Sequence, residues 1–187
     1  MVGKTLSHYK ILEELGRGGM GIDKGHLILD KEERASFLDR ERNAAPYVLQ
    51  YGGGEEAISN KWRYCLWLVD CPADELRRMP EVLERVRKTK EFRQGSPREQ
   101  TKQLASVPAL FGEIRQPSSR YLIVPKVPSV NREYIPNAFF EADVIANGSA
   151  LIVPTATIYE FGVLQSRMHM SWVRNIGGAF AKTILHS

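Results

Sequence analysis

The sequence predicts an α+β fold, a mostly antiparallel sheet with helices packed on it, and three observations carry that expectation. Apolar and β-branched segments come in runs, from Ala109 to Val124 and again from Ala138 to Val163, instead of alternating regularly with helices. Helical periodicity is confined to a few blocks set between those runs, chiefly the one from Cys71 to Gln94. The breaks carry turn chemistry: Gln116-Pro117-Ser118-Ser119, Pro128-Ser129 and Asn147-Gly148.

The chain has 187 residues, 43% of them hydrophobic and 26% charged, as expected of one soluble globular domain or a large domain with an appendage. A chain of that length buries roughly 70% of the surface its unfolded form exposes. No apolar run approaches the ~20 residues of a membrane span, and the first ten residues lack the apolar core of a secretory signal. Cys65 and Cys71 match no zinc spacing, so reduced thiols in a cytoplasmic protein are expected. The net charge of +4 and the pI near 9.1 favour a polyanionic partner.

In chain order, Gly25 to Leu29 reads as a short strand, and Asp30 can cap a helix from Lys31 to Arg42, with Glu33 completing a D-x-x-E box. Pro46 stops that helix, and Gly52-Gly53-Gly54 reads as a flexible turn. Lys61 to Val69 is β-branched and aromatic, with Trp62, Tyr64, Leu66 and Leu68 alternating onto one face of a strand. In the following block Pro72 suits a first helical turn and Pro80 restarts the helix. Leu76, Met79, Leu83 and Val86 share its apolar face, leaving Arg77, Arg78, Arg85, Arg87, Lys88 and Arg93 mostly outside. A basic flank of this kind can rest along a phosphate backbone, but the interleaved Glu75, Glu81, Glu84 and Glu91 favour a solvated, salt-bridged face. Pro97 to Ala105 reads as a further short helix.

The stretch from Pro108 to Pro136 reads as strand, turn, strand, turn, strand, with strands at Ala109 to Ile114 and Tyr121 to Val124. Its turns carry Arg115, Gln116, Arg120, Lys126, Asn131, Arg132 and Tyr134, side chains of the types that contact nucleic acid, placed where apolar strands can hold them still. In a major groove Arg115, Arg120 and Arg132 suit guanine or phosphate. Gln116 and Asn131 suit adenine, Glu113 a cytosine amino group, and Lys126 phosphate. For each, the alternative is a surface polar residue or an ion pair within the sheet. Beyond this stretch, Ala138 to Ala146 and Ser149 to Val153 read as a hairpin around Asn147-Gly148, and Ile158 to Val163 as a further strand. Leu164, Met168, Trp172, Val173 and Ile176 mark an amphipathic helix expected to close the core. His169 has no partner at ligand spacing and reads as a packed or surface residue, not a metal ligand.

The first segment, SHYKILEELGRGGMG, resembles the start of bacterial serine/threonine protein kinases: Gly16, Gly18 and Gly21 fit G-x-G-x-x-G after a strand from Tyr9 to Leu15. No strand lysine, HRD loop or DFG site follows, so phosphoryl transfer is excluded. Residues 1–21 therefore read as a foreign or disordered leader, with a second unit over 22–187.

GHLILDKEER, RYCLWLVD, VPALFGEIRQP, YLIVPKV, REYIP, NGSALIVP and FGVLQSRMHMSWVR are similar, in that order, to the target-recognition region of Type IIL (MmeI-like) restriction-modification enzymes. The resemblance covers about residues 22–178. It implies a module that reads DNA sequence for an adenine-specific DNA methyltransferase joined to an endonuclease. Duplex DNA and those catalytic portions are the implied partners. The family's glycine-rich motif for S-adenosylmethionine and its NPP[YF] motif for the flipped adenine are missing from this sequence, and a base cannot be methylated inside the stack. No cofactor or catalytic residue is thus expected here, S-adenosylmethionine and a divalent metal belonging to the parent enzyme. The competing readings are a catalytically inactive kinase-like fragment and a protein-interaction scaffold.

Overall fold

The computed structural model describes residues 5–6, 9–10, 23–126 and 132–176. Near the start, β1 (Thr5–Leu6) and β2 (Tyr9–Lys10) pair antiparallel. The glycines of the kinase-like motif lie outside the described residues.

Two sheets organise the rest. The first contains β3 (Ile28–Leu29), β4 (Val48–Gly52), β5 (Arg63–Leu66) and β8 (Val144–Ala146) in the order β3-β5-β4-β8, antiparallel except where β8 runs parallel to β4. The second contains β6 (Tyr121–Pro125), β7 (Ala138–Phe140) and β9 (Ala150–Pro154), antiparallel in the order β7-β6-β9. The α+β class is as expected.

On one face of the first sheet, α1 (Lys31–Arg40) and α4 (Pro80–Gln94) enclose Leu29, Phe37, Val48, Leu66, Met79 and Val82. Strand alternation sends Leu49, Tyr51, Cys65 and Trp67 to the other face, where they pack with Ile145 and Phe111. Tyr64, Leu66 and Leu68 share the helix-covered cluster as the alternation predicts, but Trp62 leaves it to pack against Phe140 of the second sheet, ring centroids 5.4 Å apart. β5 is correspondingly shorter than the expected span.

Local chemistry explains most departures from the sequence reading. The strand expected from Gly25 is confined to Ile28–Leu29 because a turn comes first, in which Asp23 accepts from the backbone N–H of Gly25 (3.0 Å) and of His26 (3.1 Å). Asp30 caps α1 through the Glu33 N–H at 2.7 Å, as expected, while the Glu33 carboxylate turns to Arg85. The helix stops at Arg40, and a 3-10 turn from Arg42 to Tyr47 holds Pro46. The glycine triplet is buried, not a flexible turn: Gly52 ends β4, Gly53 caps α2 (Gly54–Ser59) and Gly54 opens it.

In α4 the buried stripe is Met79, Val82, Val86, Thr89 and Arg93, a three- and four-residue spacing that displaces the expected Leu83 to the surface and carries Arg93 inside. α3 (Ala73–Arg77) and α5 (Glu99–Gln103) flank it, the latter continuing into a 3-10 turn at Leu104–Ser106. The outer face of α4 is the salt-bridged one expected: Arg87 pairs with Glu84 and Glu91, and holds the Glu84 carboxyl down to about 2.

The segment from Ala109 to Ile114 forms no strand. The span from Ala138 to Ala146 splits into β7 and β8, which join different sheets, so Asn147-Gly148 is no hairpin turn but the crossing between sheets. Ile158 to Val163 is a helix, α6 (Ile158–Leu164), because Thr157 and Glu160 form a capping box: Thr157 Oγ1 accepts from Tyr159 N at 3.2 Å, and Glu160 from Thr157 N at 2.7 Å. In α7 (Arg167–Ile176) it is Met170 that is buried, whereas Met168 and Trp172 lie exposed, so this helix closes less of the core than its pattern suggests. No helix among the described residues is long and apolar enough to cross a membrane.

Candidate nucleic-acid interface

The crossing between the sheets is built around Glu56. Its carboxylate accepts from Gly53 N (2.8 Å), Arg63 (2.7 Å) and Asn147 Nδ2 (3.3 Å), while Asn147 N–H donates to Gly52 O at 2.8 Å. Burial raises the pKa of Glu56, but the N–H donors of Gly53 and Glu56 itself and the Arg63 guanidinium outweigh it and leave the carboxyl below its ordinary range. Only glycines fit here. A Cβ on Gly53 would lie 2.5 Å from Asn147 Oδ1, and one on Gly54 would overlap the Pro125 ring.

Above this junction the two sheets leave a small cleft. Its floor is aromatic: Phe111 stacks on Tyr51 (centroids 6.0 Å) and on Trp67 (5.8 Å), and the Arg63 guanidinium lies 5.5 Å from the Tyr51 ring centre. Burial pushes the Tyr51 hydroxyl pKa up. Glu113, Arg115 and Gln116 line the same cleft, so three of the sequence-predicted residues meet in one place. Arg115 and Glu113 sit 3.5 Å apart, about a third exposed, and Glu113 Oε2 is buried with no hydrogen-bond partner. An acceptor and a set of donors thus stand side by side at the rim.

Gln116 has a different setting. Its amide donates to Ala142 O (3.0 Å) and Val144 O (2.9 Å), the link between β7 and β8, and the Tyr121 hydroxyl donates to the same Val144 carbonyl. Burial pushes the Tyr121 hydroxyl up to about 12. Arg120 lies exposed at the start of β6, with Cζ 4.3 Å from the Phe139 ring centre and Nε 3.4 Å from Glu141 Oε1. Lys126 follows β6, its backbone N–H donating to Ser149 O at 2.9 Å. Arg132 is exposed, and the half-buried Tyr134 bonds Arg167. Asn131 lies outside the described residues.

Sequence reasoning missed the aromatic floor and Arg93. Trp67 falls on the second face of the strand expected over Lys61 to Val69, but no strand is expected around Tyr51, and Phe111 meets both rings only through the fold. The Arg93 guanidinium is fully buried, donating to Leu104 O (3.0 Å), Val107 O (3.0 Å) and Leu110 O (2.8 Å); burial lowers its pKa, opposed by Asp23. No group of three or more His, Cys, Asp or Glu side chains that could hold a metal ion occurs among the described residues.

Comparison with known proteins fits this geometry to a family. Residues 1–187 match the model of the MmeI target recognition domain. The chain belongs to that family. A relative within curated proteins is DNA methyltransferase A of Bacillus subtilis (strain 168), 33% identical over 167 residues that make up 89% of this chain and 19% of that protein. Among solved structures, the Type IIL restriction-modification enzyme MmeI in complex with DNA matches with a TM-score of 0.81 and 39% identity, over 84% of this chain and 21% of that one. This recognition-domain chain therefore spans about a fifth of the length of the relatives it matches.

Proposed function

We propose that the chain is the DNA-sequence-reading module of a restriction-modification DNA methyltransferase, and that Glu113 and Arg115 read one C·G base pair in the major groove. Family membership and the likeness to an enzyme solved with DNA support the module. The observation that carries the base assignment is the pair itself, acceptor beside donors at the rim of the cleft. A C·G pair presents the cytosine amino group beside guanine O6 and N7, the complement of a carboxylate beside a guanidinium. Turning the Glu113 carboxylate onto that amino group also gives a donor to an oxygen that lacks one. A reversed G·C pair would set carboxylate against acceptors, a T·A pair would set guanidinium against the adenine amino donor, and an A·T pair would offer guanidinium the single acceptor thymine O4 in place of guanine O6 and N7.

The other candidates divide by their settings. Arg120, Lys126 and Arg132 are phosphate contacts that position the module without reading sequence. Asn131 remains an adenine reader and Tyr134 a flanking contact. Gln116 ties the sheets together, since the donors an adenine would need already serve two carbonyls. Methyl transfer and cleavage, with S-adenosylmethionine and a divalent metal, belong to other parts of such an enzyme. Those parts are the module's protein partners.

The test is a paired titration of the chain on its preferred duplex and on scrambled duplex at two salt concentrations. Arg115→Ala is expected to lose roughly 1 to 3 kcal/mol on the preferred site and little on scrambled DNA. Equal loss on both would make Arg115 a phosphate contact, and no loss on either would remove the rim from the interface.

A further inference from the structure

The segment that carries Phe111, Glu113 and Arg115 has no strand pairing to hold it, being irregular from Leu110 to Arg120. A residue that reads a base edge needs its backbone fixed to a fraction of an ångström, and elsewhere in this fold sheet hydrogen bonds supply that. Gln116 ties the segment's far end to the Ala142 and Val144 carbonyls, and the turn before it, with its own bonds from Val107 N–H to Leu104 O and from Leu110 N–H to Val107 O, is braced from beneath by one side chain. Arg93 comes up from the C-terminal part of α4 with its guanidinium wholly out of solvent, and its two terminal nitrogens bind the carbonyls of Leu104, Val107 and Leu110. Those three carbonyls span the 3-10 turn at Leu104–Ser106 and end one residue before Phe111, whose ring is fixed between Tyr51 and Trp67. Burying a charged fork costs desolvation that the carbonyls and the charge of Asp23 must offset, and that an apolar side chain continuing the Val82 and Val86 stripe would avoid. A planar fork has a geometric advantage that no apolar residue offers: it fixes several acceptors relative to one another.

We propose that Arg93 is a positioning residue for DNA reading, a buried clamp whose bonds to the carbonyls of Leu104, Val107 and Leu110 set where Glu113 and Arg115 stand at the cleft. The inference rests on the reading of Glu113 and Arg115 given above. Lysine keeps the charge but not the fork, so Arg93→Lys is the informative substitution, with Arg93→Met as the uncharged counterpart.

Two measurements on the full chain decide it. In the titration, Arg93→Lys is expected to lower the ratio of preferred-site to scrambled-site affinity about tenfold while scrambled-site affinity and salt slope stay near those of the parent. In hydrogen exchange, amides from 109 to 116 are expected to exchange faster in both variants while those of β4 and β5 keep their protection. An unchanged ratio in folded Arg93→Lys, beside a ratio lowered by Arg115→Ala, overturns the inference and leaves the base reading intact. Faster exchange throughout the chain, or failure of both variants to fold, also overturns it, since Arg93 then supports the whole fold. If Arg115→Ala itself leaves the ratio unchanged, the base reading fails first and the inference falls with it.

Discussion

Both N–H groups of the Gln116 amide are taken by carbonyls of the β7–β8 link, whereas Arg115, one residue earlier, faces the cleft beside Glu113. Adjacent residues of similar sequence promise therefore carry opposite predictions. Gln116→Ala takes a donor from the part-buried Ala142 carbonyl and leaves the Val144 carbonyl to the Tyr121 hydroxyl, and is expected to lower unfolding stability by about 1 to 3 kcal/mol in urea. Its preferred-to-scrambled DNA ratio should hold. A stable Gln116→Ala variant with lost discrimination would return this residue to the readers. Lys126 makes a third kind of prediction: Lys126→Ala is expected to weaken binding to every duplex alike and to reduce the salt slope by about 0.9, the counterion release of one phosphate contact. An unchanged slope would take Lys126 off the backbone. The polar residue types were visible in the sequence. Which donors were already occupied was not, because Ala142 and Val144 reach Gln116 only across the fold.

Two glycines, one inside a helix and one at a helix start, show what an element tolerates. Gly162 sits inside α6 with open space where a Cβ would go, so Gly162→Ala is expected to raise stability by about 0.5 to 1 kcal/mol through helix propensity alone. Gly54 also opens a helix, yet a Cβ there meets the Pro125 ring at the end of β6, so Gly54→Ala is expected to destabilise and to shift the sheets relative to each other. Equal effects of the two substitutions in thermal melts would contradict this account of the junction. Helix α6 itself was misread as a strand because Ile158, Tyr159, Phe161 and Val163 are β-formers. The capping box at Thr157 and Glu160 outweighs that propensity. The cap was written in the sequence as T-x-x-E; at Gly53, which has no side chain to accept a bond, only the Glu56 half exists, its carboxylate accepting from Gly53 N–H.

For the molecule as a whole, buried titratable groups bound the range of pH over which it is stable. The folded pKa of Glu56 lies below its ordinary 4.5, so its contribution is present above that value and lost as pH falls through the folded one. Burial lowers His169 from 6.5, which adds a loss of stability as pH drops below 6.5. Tyr121 is raised from 10.0 to about 12, so the stability of keeping it neutral is present below 10.0 and lost as pH climbs toward 12. Urea midpoints are expected to be flat between these limits and to fall on both sides, the acid fall being smaller in Glu56→Gln relative to its own maximum. A midpoint that keeps rising below pH 4.5 would contradict the assignment. The sequence by itself determined the α+β class, the cap of α1, the alternation of Tyr64, Leu66 and Leu68 onto one face at β5, and the family, because each is set by residues near one another in the chain or by their order. Only the tertiary structure decided that β7 and β8 part company at Glu141, that Phe111 completes an aromatic floor, that Arg93 turns inward, and that Glu113, Arg115 and Gln116 line one cleft with the Gln116 amide bound to the Ala142 and Val144 carbonyls. Those outcomes depend on which carbonyls and rings arrive from distant segments, and hydrogen-bond donors and apolar faces are assigned only when all competitors for them are in place.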